Sequence, residues 1–271
     1  MELAFLKMHG AGNDFVMIEN LNGALSLSEK QIAALCHRQF GVGADGLMLL
    51  EKDPQGEYDA RMIYHNADGS RAEMCGNGAR CFTAFAMEHG CGDGEKLRFL
   101  SDAGPITATA TGNLYTIELT PPAGTRTNIP LTLREGTVEG HYSDTGVPHV
   151  VRFVDDVQKI DIRPAGAELR FHPEFSPRGA NANFVQIQKP GKPLVVRTYE
   201  RGVEDETLAC GTGVTAAAIL AHLVHNVPKP VSVQVAGGDV LRVDFAVEGD
   251  KVLGVTLTGP AVKVFTGTIT L

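Results

Sequence analysis

Two stretches, Cys75-Gly76-Asn77-Gly78 and Cys210-Gly211-Thr212-Gly213, decide how this chain is organised. Each opens an apolar, alanine-rich run, and the two cysteines lie 135 positions apart in a chain of 271 residues. A tyrosine, Tyr64 or Tyr199, precedes each cysteine by 11 positions. A repeat at half the chain length indicates two similar halves joined in tandem.

Shorter matches occur at nearly the same spacing. Gly43-Ala44-Asp45 resembles Gly179-Ala180-Asn181, and Leu119-Thr120-Pro121-Pro122-Ala123 resembles Leu257-Thr258-Gly259-Pro260-Ala261. Glycine-rich loops resemble one another by chance, but chance explains one match better than several near one spacing. We therefore favour an internal duplication with its boundary near Pro121-Pro122, where proline ends the preceding strand.

Strands dominate the secondary-structure prediction, because short apolar and alternating runs are bounded by turn residues. The predicted strands are Phe15–Glu19, Gly46–Lys52, Ala60–His65, Leu97–Leu100, His149–Val154, Phe184–Gln188, Leu194–Tyr199, Val231–Val235, Val240–Val247, Val252–Thr258 and Val262–Thr270, with a hairpin over Ile106–Thr120.

Three helices are predicted, over Ser28–His37 and from about Gly78 to His89 and Gly213 to His225. The last two are apolar nearly all round, which is typical of a buried helix. The predicted fold is α+β. It has two pseudo-symmetric domains, each a curved, mostly antiparallel sheet wrapped around a central buried helix.

Composition excludes several classes of function. The 24 Lys and Arg against 32 Asp and Glu give a net charge of −8, so we expect no nucleic-acid partner. No apolar run approaches the length of about 18 residues that crosses a membrane, and the N-terminus does not resemble a signal peptide. We therefore expect a cytoplasmic protein without a membrane partner. Five cysteines, an odd number in a long chain, argue against a disulfide framework.

Two motifs resemble a dinucleotide-binding loop and a zinc site, but neither meets the requirements of that site. Gly41-Val42-Gly43-Ala44-Asp45-Gly46 matches the dinucleotide pattern, but a helix precedes it and a strand follows, the reverse of the required order. Cys75 and Cys81 lack the partners and spacing of a zinc site. We expect neither a metal nor a cofactor, and we interpret Cys36, Cys81 and Cys91 as core or incidental thiols.

Cys75 and Cys210 are different because each stands just before a predicted buried helix. A helix N-terminus carries unpaired N–H groups and partial positive charge, which lowers the pKa of a thiol and attracts a carboxylate. If the halves face each other, one thiolate can remove a Cα proton while the opposite thiol protonates the other face. Such an inversion needs two acid–base groups of similar pKa, and fixed dipoles must stabilise the carbanion.

The chain resembles the diaminopimelate epimerase family over essentially its whole length. The residues that carry the resemblance are Met8-His9-Gly10-Ala11-Gly12-Asn13-Asp14-Phe15, Asn66-Ala67-Asp68-Gly69-Ser70, Cys75-Gly76-Asn77-Gly78-Ala79-Arg80-Cys81, Glu200-Arg201-Gly202 and Glu206-Thr207-Leu208-Ala209-Cys210-Gly211-Thr212-Gly213. The resemblance implies an epimerase independent of pyridoxal phosphate. It would interconvert LL- and meso-diaminopimelate for lysine and peptidoglycan precursors.

By the same resemblance, Cys75 and Cys210 are the acid–base pair. Backbone N–H groups around Gly76-Asn77 and Gly211-Thr212 hold the reacting carboxylate. His149 and Glu200 are candidates for tuning the thiols. The remaining substrate-binding residues, chiefly for the distal amino-acid end, are Asn13, Asn66, Asn181, Glu200 and Arg201.

The family also implies the domain arrangement and the assembly. The first domain would comprise residues 1–120 plus 264–271, and the second residues 121–263. The active site would lie in the cleft between them. A homodimer is a further expectation of the resemblance.

Two departures from the family pattern bear on substrate contacts. Val147 stands where the family often has Asn, and Gly46 stands where some members have Gln. The main rival is an epimerase or racemase of proline, hydroxyproline or histidine on the same fold. An isomerase without paired thiols and a non-catalytic amino-acid-binding protein are weaker rivals. The thiol pair argues against both, and a Glu-Arg pair for a distal amino acid argues for diaminopimelate.

Overall fold

The computed structural model describes residues 2–249 and 251–271. The chain divides into two compact units, Met1–Glu118 with Thr258–Leu271, and Leu119–Leu257. Within the described residues, no helix is both long and apolar enough to cross a membrane.

The first unit is built from nine strands and two helices among its described residues. They are β1 (Glu2–Gly10), β2 (Asn13–Glu19), α1 (Glu29–Cys36), β3 (Gly46–Glu51), β4 (Ala60–Asn66), β5 (Arg71–Ala72), α2 (Gly76–Glu88), β6 (Lys96–Ser101), β7 (Gly104–Thr111), β8 (Leu114–Glu118) and, from the end of the chain, β18 (Val262–Thr270).

The second unit contains the remaining elements. They are β9 (Ala123–Leu133), β10 (Gly136–Asp144), β11 (Pro148–Phe153), α3 (Ile162–Arg170), β12 (Asn181–Gln186), β13 (Leu194–Glu200), β14 (Asp205–Thr207), α4 (Gly211–His225), β15 (Val231–Gln234), β16 (Val240–Glu248) and β17 (Lys251–Pro260), whose last residues join the first unit.

Strand pairing repeats from one unit to the other. In the first, β18 pairs with β1, β1 with β2, β2 with β3, β3 with β4, β4 with β6, and β6 with β7. In the second, the same sequence of pairings runs from β9 through β10, β11, β12, β13 and β15 to β16. The pairings β2–β3 and β4–β6 are parallel, and so are their counterparts β11–β12 and β13–β15. The predicted α+β duplication is confirmed.

Each parallel crossover carries a helix, as parallel strands require. Helix α1 begins at the N-cap Ser28, whose side chain and that of Gln31 form the predicted capping box. Helix α3, at the matching place in the second unit, was not predicted. It contains Pro164 and Gly166, both poor helix formers, but proline is tolerated in the first turn, where its missing N–H has no intrahelical partner.

The two central helices begin two residues earlier than predicted. α2 starts at Gly76 and α4 at Gly211, so that Cys75 and Cys210 are their N-cap residues. Residues from Gly76 to Ala86 are all buried in α2, and most of α4 is buried as well. Each helix packs against the strands of its own unit, which explains why neither has a polar face.

The unpredicted strands are β1, β9 and β10 and the short strands β5 and β14. β9 contains Pro130, which argues against a strand, yet it pairs with Glu139 of β10. The conflicting local signal is overridden because Ile129, Leu131 and Leu133 point to one face and join a buried core.

Candidate functional site

In the first unit, the N-terminus of α2 presents Cys75 at the end of the preceding extended segment. The first intrahelical hydrogen bond runs from Ala79 N–H to the Cys75 carbonyl at 2.7 Å, so the N–H groups of Gly76 and Asn77 lie ahead of it. Gly78 allows this helix end to pack closely, because a Cβ there would lie 2.0 Å from Met48 Cε. Gly78 has no unusual dihedral angle, so what the second glycine of the motif provides is room for the Met48 methyl group.

A buried arginine organises this helix end. Arg80 is fully buried; its Nη1 donates to the Gly76 carbonyl at 3.2 Å and its Nη2 to Asn77 Oδ1 at 2.8 Å. The Asn77 amide nitrogen is thereby directed to Asn13 Oδ1, at 3.4 Å. The Cys75 thiol donates to the same oxygen at 3.3 Å. The structure thus brings Asn13, Cys75 and Asn77 together.

Charged residues hold Asn13 in place. Its amide nitrogen donates to Asp45 Oδ2 at 2.7 Å, and Arg38 bonds both Asp45 and Asp14. Burial alone would raise the pKa of Asp14, but hydrogen bonds from Arg38 and Lys7 outweigh it and lower the pKa to about 2. The Asp14 carboxylate is therefore ionised throughout the neutral range.

Asn66 lies at the exposed end of β4. Its side chain donates to Ser70 Oγ at 3.1 Å, and among the described hydrogen bonds none links it to the Cys75 cluster. Its register partner is Gly46, where a Cβ would lie 2.5 Å from the His65 carbonyl oxygen. This packing leaves no room for a side chain at position 46.

In the second unit, Cys210 occupies the same place before α4. The first intrahelical bond runs from Val214 N–H to the Cys210 carbonyl at 2.9 Å. A Cβ at Gly213 would lie 2.4 Å from Asn183 Oδ1 and 3.3 Å from His149 Cε1. The glycine therefore allows α4 to approach a pair of buried polar side chains.

His149 reaches the cysteine through a threonine. Its Nε2 is 2.9 Å from Thr212 Oγ1, which in turn is 3.4 Å from Cys210 Sγ. Complete burial, together with the positive charge of Arg201, lowers the pKa of His149 to about 3. His149 is therefore neutral at physiological pH.

The other predicted residues of this unit lie along β12 and the end of β13. Asn181 donates to the Pro148 carbonyl at 3.0 Å and accepts from the Arg201 backbone N–H at 2.7 Å. Glu200 Oε2 accepts from Thr207 Oγ1 at 2.9 Å. The Arg201 guanidinium donates to the Arg178 carbonyl at 3.3 Å, and the residue is half-buried.

Of the remaining cysteines, Cys36 and Cys81 are buried and Cys91 is partly exposed. Burial raises the pKa of Cys36 to about 11 and that of Cys81 to about 12, and it raises the pKa of Cys91 as well. A raised pKa keeps sulfur protonated and unreactive. Cys36, Cys81 and Cys91 form no disulfide bond. Within residues 2–249 and 251–271, no group of three His, Cys, Asp or Glu side chains is placed to hold a metal ion.

Arg80 and Asn183, which organise these clusters, were not predicted as site residues. Arg80 lies within the quoted segment that contains Cys75, but a buried arginine cannot be distinguished from an exposed one by sequence alone. Asn183 had a usable signal, because Asn181 and Asn183 alternate on an apolar strand and must share one face.

Solved structures of other proteins share this fold. A hydroxyproline epimerase from Agrobacterium vitis, solved with bound trans-4-hydroxy-L-proline, aligns over 100% of this chain and 93% of its own, with a TM-score of 0.70 at 16% identity. A Bacillus anthracis phenazine biosynthesis protein of the PhzF family aligns over 100% of both chains, with a TM-score of 0.75 at 15% identity. Such identities show the fold alone, and they define the structural class as the diaminopimelate epimerase-like α+β fold.

Sequence comparisons narrow this class to one family. The diaminopimelate epimerase family model matches residues 5–121 and 141–264. The diaminopimelate epimerase of Aquifex aeolicus is 44% identical over 276 residues, covering 98% of this chain and 97% of the relative. That of Chlorobaculum tepidum is 42% identical, covering 97% of this chain and all of the relative. The chain belongs to the diaminopimelate epimerase family.

Proposed function

We propose that this protein interconverts LL- and meso-diaminopimelate by moving a proton at one Cα. The relatives at 44% and 42% identity are diaminopimelate epimerases matched over nearly their whole length. The observation that carries the mechanism is the placement of Cys75 and Cys210 as the N-cap residues of the two repeated central helices.

In the proposed mechanism the two sulfurs flank the reacting Cα. One thiolate takes the Cα proton, and the thiol of the other cysteine gives its proton to the opposite face. The configuration inverts, and the two cysteines exchange protonation states. In the reverse reaction the two cysteines act in opposite roles, and each returns to its original protonation state without a cofactor.

The helix ends supply the stabilisation that this chemistry needs. The N–H groups of Gly76 and Asn77 on one side and of Gly211 and Thr212 on the other precede the first intrahelical bonds. They would bind the carboxylate next to the carbanion and stabilise the charge that develops on it. This arrangement acts without pyridoxal phosphate or a metal.

The distal amino acid of the substrate needs its own contacts. Arg201 can bind its carboxylate through two nitrogens, and Glu200 suits its ammonium group. Asn13, Asn66 and Asn181 add amide groups. The first two lie in the first unit and the last in the second, so this part of the proposal requires both units to contribute to one site.

A proline or hydroxyproline racemase is the second candidate, since a hydroxyproline epimerase shares the fold. Such substrates have no distal carboxylate, and Arg201 would then have no anion to bind.

The product of the favoured reaction would serve lysine and peptidoglycan precursor synthesis. We further propose that the protein acts in the cytoplasm as a homodimer. Light scattering of the purified protein tests the homodimer directly.

Reduced protein is incubated separately with LL-diaminopimelate, L-proline, trans-4-hydroxy-L-proline and L-histidine, without added pyridoxal phosphate. We expect chiral chromatography to show the meso isomer and no inversion of the other three. Inversion of proline or hydroxyproline, with diaminopimelate unchanged, would refute the proposed substrate. Cys75→Ala protein is the matched control, because it retains every residue proposed for the distal end.

A further inference from the structure

The tautomer of His149 is determined by the residue behind it. Asn183 Nδ2 lies 3.1 Å from His149 Nδ1 and 3.0 Å from the Val150 carbonyl oxygen. A carbonyl oxygen only accepts hydrogen bonds, so the amide nitrogen of Asn183, and not its oxygen, occupies this place. The same nitrogen also lies 3.3 Å from the Asn181 carbonyl oxygen. Because an amide nitrogen cannot accept a hydrogen bond, a hydrogen on His149 Nδ1 would have no acceptor there, and the ring proton of neutral His149 is on Nε2.

This assignment sets the direction of the next two bonds. His149 Nε2–H donates to Thr212 Oγ1 at 2.9 Å. The threonine hydroxyl has then accepted one hydrogen bond, and its own hydrogen is available for Cys210 Sγ at 3.4 Å. A hydrogen bond donated to a thiolate favours the charged form over the thiol.

We propose that Asn183 and His149 are positioning residues that turn the Thr212 hydroxyl toward Cys210 and hold this cysteine as the thiolate in the free enzyme. The inference deepens the proposed function and rests on it for the role of Cys210 as an acid–base residue. His149 acts here as a neutral donor, through Thr212, and not as a base that takes the thiol proton.

Charged residues also lie near this chain of hydrogen bonds. Arg201 is the cation that lowers the pKa of His149, and Glu200 is bonded to Thr207. The N-terminus of α4 favours a thiolate at Cys210, but the N-terminus of α2 does the same at Cys75. The helix dipole therefore does not distinguish the two cysteines.

The first unit has a different arrangement at the matching positions. Asn77 stands where the second unit has Thr212, and its amide is held by Arg80, the cation of that helix. The Cys75 thiol donates to Asn13 Oδ1, an oxygen that favours the protonated sulfur. At this matching position α4 therefore has the Thr212 hydroxyl where α2 has the Asn77 amide.

The test measures the pH midpoint of Cys210 alkylation by iodoacetamide, read by peptide mass spectrometry in a Cys75→Ser background without substrate. Thr212→Val should raise the midpoint by about one pKa unit, which is about a tenfold slower reaction below the midpoint. Thr212→Ser should keep the original midpoint. Thr215→Val, which removes a buried hydroxyl of the same helix bonded to the Gly211 carbonyl, is the matched control and should also keep it.

Substitution of His149 separates positioning from packing. His149→Leu should raise the Cys210 midpoint, and His149→Gln should restore it because its amide can donate to Thr212. An unchanged midpoint in Thr212→Val, or equal midpoints in His149→Leu and His149→Gln, would overturn the proposal. Alkylation needs no turnover, so a protein that fails to epimerise diaminopimelate can still pass this test.

A measurement on the unsubstituted protein covers the case in which a variant does not fold. Nitrogen-15 NMR of labelled histidine distinguishes protonated from unprotonated ring nitrogens. We expect His149 to keep hydrogen on Nε2 alone between about pH 5 and pH 8. The opposite tautomer, or protonation with a pKa near the ordinary value of 6.5, would refute the assignment.

Discussion

Replacing Gly213 by alanine tests whether the start of α4 packs tightly against the buried side chains of Asn183 and His149. Alanine in a helix gains about 1 kcal/mol over glycine. The new Cβ would lie 2.4 Å from Asn183 Oδ1, which is fully buried and accepts from Thr198 Oγ1 at 2.9 Å. Overpacking of a fixed group costs about 1–3 kcal/mol, and each disturbed hydrogen bond adds about 1 kcal/mol. We expect a net loss of stability of about 2 kcal/mol.

Gly78→Ala is the matched variant in the other half. Its Cβ would lie even closer, at 2.0 Å, but the obstacle is Met48 Cε, the end of a flexible side chain. Helix propensity and displacement of the methyl group should nearly cancel, leaving stability within about 1 kcal/mol of the original protein.

Urea unfolding of both variants gives the comparison. Gly213→Ala should have the lower midpoint and should also raise the alkylation midpoint of Cys210, because it displaces Asn183 from His149. Equal stability of the two variants, with Cys210 reactivity unchanged in Gly213→Ala, would show that the close approach of position 213 to Asn183 does not require glycine.

Three further predictions concern the acid–base pair, the distal end and acid stability. Cys75→Ala and Cys210→Ala should each abolish epimerisation with the circular dichroism spectrum unchanged; near-full activity in either would eliminate the two-base mechanism. Arg201→Met should raise KM for diaminopimelate at least tenfold, as about 1.4 kcal/mol or more of charge-assisted binding is lost, and an unchanged KM would remove Arg201 from the substrate site. The pKa of Asp14 is about 2 in the folded protein against an ordinary 3.8, so its ionised form stabilises the fold above about pH 4, and this contribution is lost as pH falls toward 2. Asp14→Asn should therefore reduce the drop in urea stability between pH 5 and pH 3, and an equal drop in both proteins would contradict this.

The repeated parts of the fold could be predicted because each has a local signal. The capping box at Ser28 marks the start of α1, and the apolar runs after Cys75 and Cys210 mark the buried helices. The starts of those helices were predicted two residues too late. Glycine is a poor helix former, and the reason for Gly78 and Gly213 is close packing with residues distant in sequence.

In the candidate site, too, residues with a local sequence signal could be predicted, but contacts between distant segments could not. The repeated motif predicts Cys75 and Cys210 as acid–base residues and the family resemblance adds His149, but neither gives the hydrogen bonds that connect His149 to Cys210. Asn183 and His149 are 34 positions apart, and the parallel pairing of β11 with β12 brings them together. A contact made by strand register has no signal in either segment alone, so the threonine between His149 and Cys210 became evident only in three dimensions.

In the proposed mechanism two different groups act at one Cα: one removes its proton and the other adds a proton to the opposite face. The most direct measurement follows LL-diaminopimelate in heavy water during the first few per cent of conversion. With two bases, the meso product carries deuterium at the inverted centre while the recovered LL substrate still carries protium. Deuterium in the recovered substrate at the same rate as in the product would mean that one group serves both faces, and would contradict the account.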